Sequence, residues 1–176
     1  MSSASELLAY VPEPGWEELI ASEAFGYRPM FVSGDPEGDR IRVRYFVQTE
    51  DHRLMCKAWF GHGSQGPPGH AHGGSISALL DESMGFAAWV AGYMVVAAQL
   101  TINFRSMVPI DSISTCEAWV EEVKGRKVMT RSRLLSPDGV TCSDGTALFL
   151  QLTAEQFGMA KMKAEDLLKS NKGTEG

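Results

Sequence analysis

Long apolar runs are missing from this sequence. No run of about eighteen consecutive apolar residues occurs, so no transmembrane helix is expected. Positive charge is also scarce. Sixteen Lys and Arg stand against 22 Asp and Glu, for a formal net charge of -6. A general nucleic-acid binder would normally be basic, so that class is excluded. Cysteine is limited to Cys56, Cys116 and Cys142, an odd number at spacings that match no zinc pattern. A reducing, intracellular compartment is the expectation. The opening MSSASELLAY has no basic region, no long apolar core and no arginine. It reads neither as a secretory signal nor as a presequence. Cytoplasm, or an organelle such as mitochondrion or plastid after loss of a targeting peptide, both fit. There is no G-x-S-x-G elbow and no Cys beside a His/Asn pattern. His52, His62, His70 and His72 form no recognisable four-ligand set, so neither metal nor other cofactor is expected.

What is present is the composition of one globular domain. The chain has 176 residues, 44% hydrophobic and 22% charged, enough to bury a sizeable core. The charge is uneven. Residues 1–40 hold eight acids against Arg28 and Arg40, which accounts for the whole net charge. The remainder is neutral and carries a basic cluster: Arg105, Lys124, Arg126, Lys127, Arg131 and Arg133. Such a cluster reads either as a site for a small anionic ligand or as a salt-bridged strand face.

Pattern divides the chain into elements. Residues 13–24, EPGWEELIASEA, read as a short helix, with Pro near the start and Trp16, Leu19 and Ile20 at helical spacing. Arg40–Gln48 alternates polar and apolar and pairs with Leu54–Phe60 as a hairpin. Residues 61–71 are Gly/Pro-rich loop. Gly74–Ala91 is the most hydrophobic helix candidate, apolar around most of its circumference, and Gly92 is placed to end it. Strand patterns follow at Met94–Arg105, Ser112–Val123, Arg126–Leu135 and Val140–Leu152, with hairpin signals at Gly125 and Asp138-Gly139. Residues 154–170 read as a polar C-terminal helix and NKGTEG as a frayed tail. The expected organisation is an N-terminal helical extension (1–39), a main domain (40–153) and a C-terminal helix with tail (154–176). An apolar helix cannot hide inside a flat sheet, so the expected class is α+β, with one antiparallel sheet wrapped around the central helix.

Two features of that helix could carry chemistry. His70-Ala-His72-Gly73-Gly74 forms its entry. Glycines there leave backbone N–H groups unshielded, and the helix dipole adds partial positive charge. The junction reads as a cradle for a carbonyl oxygen gaining negative charge, or as a plain Gly-rich helix entry. Asp81 lies within the apolar helix, on a face with the small residues Gly74, Ser77, Ala78, Gly85 and Ala88. An ionised carboxylate there is costly without a role or a partner. The other reading is a solvent-facing acid at the helix edge beside Glu82. Gly73 and Asp81 are eight residues apart, roughly 12 Å along a helix. They cannot serve one carbonyl group from one chain. A twofold dimer with antiparallel central helices would bring Gly73 of one chain to Asp81 of the other.

The stretch GPPGHAHGGSISALLDESMG resembles the hotdog-fold acyl-CoA thioesterases, of the thioesterase superfamily member 4 and 5 (PaaI-like) type. The resemblance continues through Leu100-Thr-Ile-Asn103-Phe-Arg105 and Val123-Lys-Gly-Arg126-Lys127, and covers about residues 40–152. It implies hydrolysis of fatty acyl-CoA to free acid and CoA. The Gly73 amide would polarise the thioester carbonyl, with His72 shaping the loop or contacting that oxygen. Asp81 would be the catalytic carboxylate, as general base or nucleophile. Gly74, Asn103, Arg105, Arg126 and Lys127 would hold the coenzyme A part of the substrate. A homodimer that can pair further is implied, with no nucleic acid and no integral membrane association. One position departs from the pattern: relatives place Thr where this chain has Ala97. That keeps open a non-catalytic acyl-CoA-binding or partner-binding protein. A thioesterase acting on acyl carrier protein also stays open.

Overall fold

The computed structural model describes residues 3–20 and 30–153. Among the described residues seven antiparallel strands form one sheet. In chain order they are β1 (Trp16–Leu19), β2 (Ile41–Gln48), β3 (Leu54–Phe60), β4 (Val95–Phe104), β5 (Ile113–Lys124), β6 (Lys127–Leu135) and β7 (Thr141–Gln151). In space β3 is followed by β5, β6 and β7, and β4 closes the far edge against β7. Among the described residues the helices are α1 (Ser3–Leu8) and α2 (Gly73–Val90), with a 3-10 turn at His62–Ser64.

The helix α2 packs on β3 through β7. Leu79, Leu80, Met84 and Ala88 are fully buried beneath it. They meet Cys56, Ala58, Phe60, Ala118, Val128 and Leu134 from the sheet. Each fully buried Leu or Phe contributes roughly 1.5–3 kcal/mol of transfer free energy. Strand β6 alternates buried and open positions along its length, as a sheet with one covered face must. Gly92, Gly125 and Gly139 take positive φ (90°, 57° and 79°), ending α2 and closing the two hairpins that the sequence marks. The wrapped α+β architecture expected from the pattern is the one observed, and the strand ends fall within a residue or so of expectation.

The N-terminal part differs. Residues 16–19 are a strand, not part of a helix, with Trp16 opposite Gln48 and Leu19 opposite Tyr45. W-E-E-L spaces its apolar ends three apart, which serves a helix turn or a short strand equally well. The edge of β2 decides the matter by offering unpaired backbone groups. Trp16 stacks on Phe46 at 5.7 Å, and Leu19 is buried. The sheet therefore runs across the expected boundary at residue 40. Arg44 fixes this layer with a forked pair to Glu18 (2.7 and 2.8 Å) and a bond to the Tyr10 carbonyl (2.7 Å). Helix α1, which the pattern did not announce, buries Ala4 and Leu7 against Trp59. The expected C-terminal helix lies outside the described residues.

Candidate active site

The entry to α2 is locked before the helix begins. The His72 amide donates to Ser64 O (2.8 Å) and the Ala71 amide to Val108 O (2.8 Å). Gly66 lies so close that a Cβ there would sit 2.8 Å from His72 Cα. His72 is the N-cap, and its Nδ1 accepts from the Gly74 amide at 2.9 Å. A neutral His72 with Nδ1 accepting carries its proton on Nε2, which leaves an N–H donor on the exposed ring edge. Among the described residues the Gly73 amide has no acceptor, and the Phe104 ring lies against Gly73. Gly74, by contrast, spends its amide on the cap.

Asp81 is half-buried two turns further on, and its Oδ1 is buried with no hydrogen-bond partner among the described residues. Burial pushes its carboxyl above the ordinary value of 3.8. It lines a cleft of about 220 Å³ with Gly85, Trp89, Ala97 and Phe149. The small-residue face is as read for Gly74, Ser77, Ala78 and Gly85, while Ala88 is fully buried. Seven steps of 100° bring position 88 back to within about 20° of Asp81, so it stays on that side of the helix and is covered there. Ala97 does reach the same cleft as Asp81. A bulge between Ala97 and Gln99 re-aims the strand there.

Sequence reasoning treated Glu82 only as a neighbour of Asp81. It is a half-buried anchor: it accepts from Tyr45 Oη (3.0 Å) and from the Val32 amide (3.2 Å). Burial raises its pKa, and these bonds work against that rise. Asp144 was missed as well. It accepts from Asn103 Nδ2 (2.9 Å) and from Arg105 Nε, and the Arg105 guanidinium holds it below the ordinary range. No local spacing signals this, because the partners lie 39 and 41 residues away in the chain.

The basic cluster does not form one patch. Arg131 pairs with Glu121 (2.6 Å), Arg133 with Glu117 (2.7 Å) and Lys124 with Glu122 (2.7 Å). Those cations are a salt-bridged face. Arg126 and Lys127 have no acidic partner among the described residues, and Arg126 Nε donates to Gln151 O (3.2 Å). They sit at one end of the sheet, where Lys127 pairs with Leu150. Arg105 leaves the other end, beside Asp144. Six residues of β7 separate the two, roughly 20 Å. Within one chain, then, the expected grouping of Arg105 with Arg126 and Lys127 does not occur, because hairpin register assigns them to opposite rims. The same polarity separates Gly73, near Phe104, from Asp81, near Ala97.

Comparison with known proteins agrees with the fold and the motif. Residues 68–143 match the family model of the thioesterase superfamily. The chain is 30% identical over 119 residues to acyl-coenzyme A thioesterase THEM4 of Xenopus laevis, covering 67% of this chain and 54% of that protein. It is 30% identical over 121 residues to human acyl-coenzyme A thioesterase THEM5, covering 68% and 49%. It thus spans about half the length of these curated relatives. A crystal structure of a thioesterase superfamily protein superposes with a TM-score of 0.62 at 27% identity, over 84% of this chain and 73% of the other. The antiparallel sheet wrapped on α2 is a hotdog domain. Within that domain, residues 68–143 carry the match to the thioesterase superfamily.

Proposed function

We propose that this protein hydrolyses acyl-CoA thioesters, with fatty acyl-CoA as the substrate class. The observation that carries the reading is the buried, unpartnered Oδ1 of Asp81 on the wall of an apolar cleft. Burial raises its pKa, which makes it a better base than an ordinary carboxylate. Asp81 takes a proton from water, and the oxygen of that water forms a bond to the thioester carbonyl carbon. The oxyanion is met by the Gly73 N–H and by His72 Nε2–H. The C–S bond then breaks, CoA leaves as thiolate, and the proton held by Asp81 passes to that sulfur. The products are a carboxylic acid and CoA. No metal or other cofactor takes part in these proposed steps.

The donor and the base are too far apart in one chain, so the working site joins two. Strand β4 supports this. It is a ten-residue edge strand whose residues are exposed beyond Val95 apart from the half-buried Ile102. Val96, Leu100 and Phe104 are large apolar side chains on it. Such an edge needs a partner. Antiparallel pairing of two β4 strands about a twofold axis sets the Phe104–Gly73 end of one chain beside the Ala97–Asp81 end of its partner. The same operation moves Arg105 toward the partner's Arg126 and Lys127, so one CoA would be held by both chains.

Ala97 favours a second reading, an acyl-CoA binder without turnover, because no hydroxyl stands at that point of the cleft. Free-thiol release from acyl-CoAs of increasing chain length, with wild type and Asp81→Asn side by side, separates the two. The enzyme reading expects release by wild type and a loss of at least about 100-fold in kcat for Asp81→Asn, with binding kept. Binding with no release from any acyl-CoA or acyl carrier protein would leave the second reading standing.

A further inference from the structure

The turn Met30–Gly34 is tied to the central helix by a side chain next to Asp81. Its Gly34 amide donates to Met30 O (3.0 Å), closing one helical turn. Val32 is buried, and its amide donates to the Glu82 carboxylate. The opposite oxygen of Glu82 takes the Tyr45 hydroxyl, and the Tyr45 ring meets Phe86 edge-on at 5.0 Å. Both tethers converge on one carboxylate, so the position of the turn follows the position of Glu82. The tethered turn presents Phe31, which is 89% exposed, an unusual setting for a Phe. Phe31 lines the 220 Å³ cleft of Asp81, and it also lines a separate cleft of about 440 Å³ beside His72, Gly74 and Ala78. Among the described residues it is the one common to the two linings.

We propose that Phe31, held in place by Glu82, is the end wall of the acyl site and sets the longest acyl chain accepted. This rests on the thioesterase reading for the identity of the ligand, and adds the residue that measures it. An acyl chain whose carbonyl lies at Asp81 enters the smaller cleft and meets the Phe31 ring. Removing the ring joins the two clefts and lets a longer chain run on. Glu82 touches no reacting atom; it is a positioning residue that acts through Phe31.

The test compares kcat/KM for hexanoyl-CoA and palmitoyl-CoA in wild type, Phe31→Ala, Phe31→Trp, Glu82→Gln and the Phe31→Ala/Glu82→Gln double variant. Dissociation constants for non-hydrolysable thioether analogues of both chain lengths are measured on the same proteins, with melting temperatures as a check on folding. Phe31→Ala should raise the long-to-short ratio roughly tenfold, the scale of a few methylenes in an apolar pocket. Phe31→Trp should lower it. Glu82→Gln should raise it in the wild-type background and leave it unchanged once Phe31 is Ala. An unchanged ratio in Phe31→Ala overturns the proposal. So does a Glu82→Gln shift that persists in the double variant. If wild type releases no thiol, the hydrolase reading fails, and the analogue dissociation constants decide the end-wall role separately.

Discussion

Ala97 on the edge strand and Asp81 on the central helix line one cleft, and among the described residues no hydroxyl side chain joins them in that lining. The Asp81 Oδ1 oxygen is buried and has no hydrogen-bond partner among the described residues.

That relationship makes Ala97→Thr a gain-of-function experiment. Thr suits a strand, and its Oγ1 can donate to Asp81 or to the attacking water. The expected outcome is a rise in kcat of several-fold to about tenfold, with KM little changed. Steady-state thiol release reads it. A fall in kcat would mean that the bulge at Ala97 aims the side chain away from the reacting water.

Asp81 should cost stability where it is ionised. Its folded-state pKa is raised above the ordinary 3.8 by burial, so the folded protein holds this proton more tightly than the unfolded chain does. Its contribution is therefore most favourable below pH 3.8 and is lost as pH rises through the folded value. Asp81→Asn removes that loss. The variant should melt higher than wild type at pH 7, and the gap should close as pH falls toward 4. In wild type, activity should fall as pH drops through that same raised value, because the base becomes protonated.

Gly85 stands one turn after Asp81 in the same cleft. A Cβ there would meet nothing nearer than Phe149 at 3.8 Å, an ordinary contact. Glycine inside a helix is about 1 kcal/mol less favourable than alanine. Gly85→Ala should therefore raise the melting temperature while narrowing the acyl cleft. Lower kcat/KM for long acyl chains in a more stable protein is the expected pair of results. A less stable variant would show that the helix is closed against the sheet at this point.

Arg126 and Lys127 should act on the nucleotide end of CoA alone. Replacing either by Ala should raise KM for acyl-CoA about tenfold, the scale of one charged contact to phosphate, with kcat nearly kept. The effect should vanish with S-acyl-pantetheine, which lacks the nucleotide. An equal effect on both substrates would remove these residues from CoA recognition.

Subunit mixing tests the shared site. Asp81→Asn and Gly73→Val chains, each inactive alone, form hybrid dimers holding one intact site and one doubly damaged site. Random mixing should restore about a quarter of wild-type activity. No recovery, with hybrids verified by mass, would place base and donor in one chain.

The sequence was enough for the wrapped sheet, the central helix and its His72-Gly73-Gly74 entry with Asp81 following. These are local signals: period-two and helical patterning, glycines at turns, a carboxylate in an apolar stretch. Trp16–Leu19 escaped, because four residues carry too little periodicity and the open edge of β2 made the choice. The anchoring of Phe31 by Glu82, the hold of Asp144 on Asn103 and Arg105, and the separation of Arg105 from Arg126 and Lys127 were decided only by the tertiary structure. Each depends on which strands become neighbours and in what register. Patterning and turns set the register within a hairpin, but the packing of the whole sheet on the helix decides which distant strands meet.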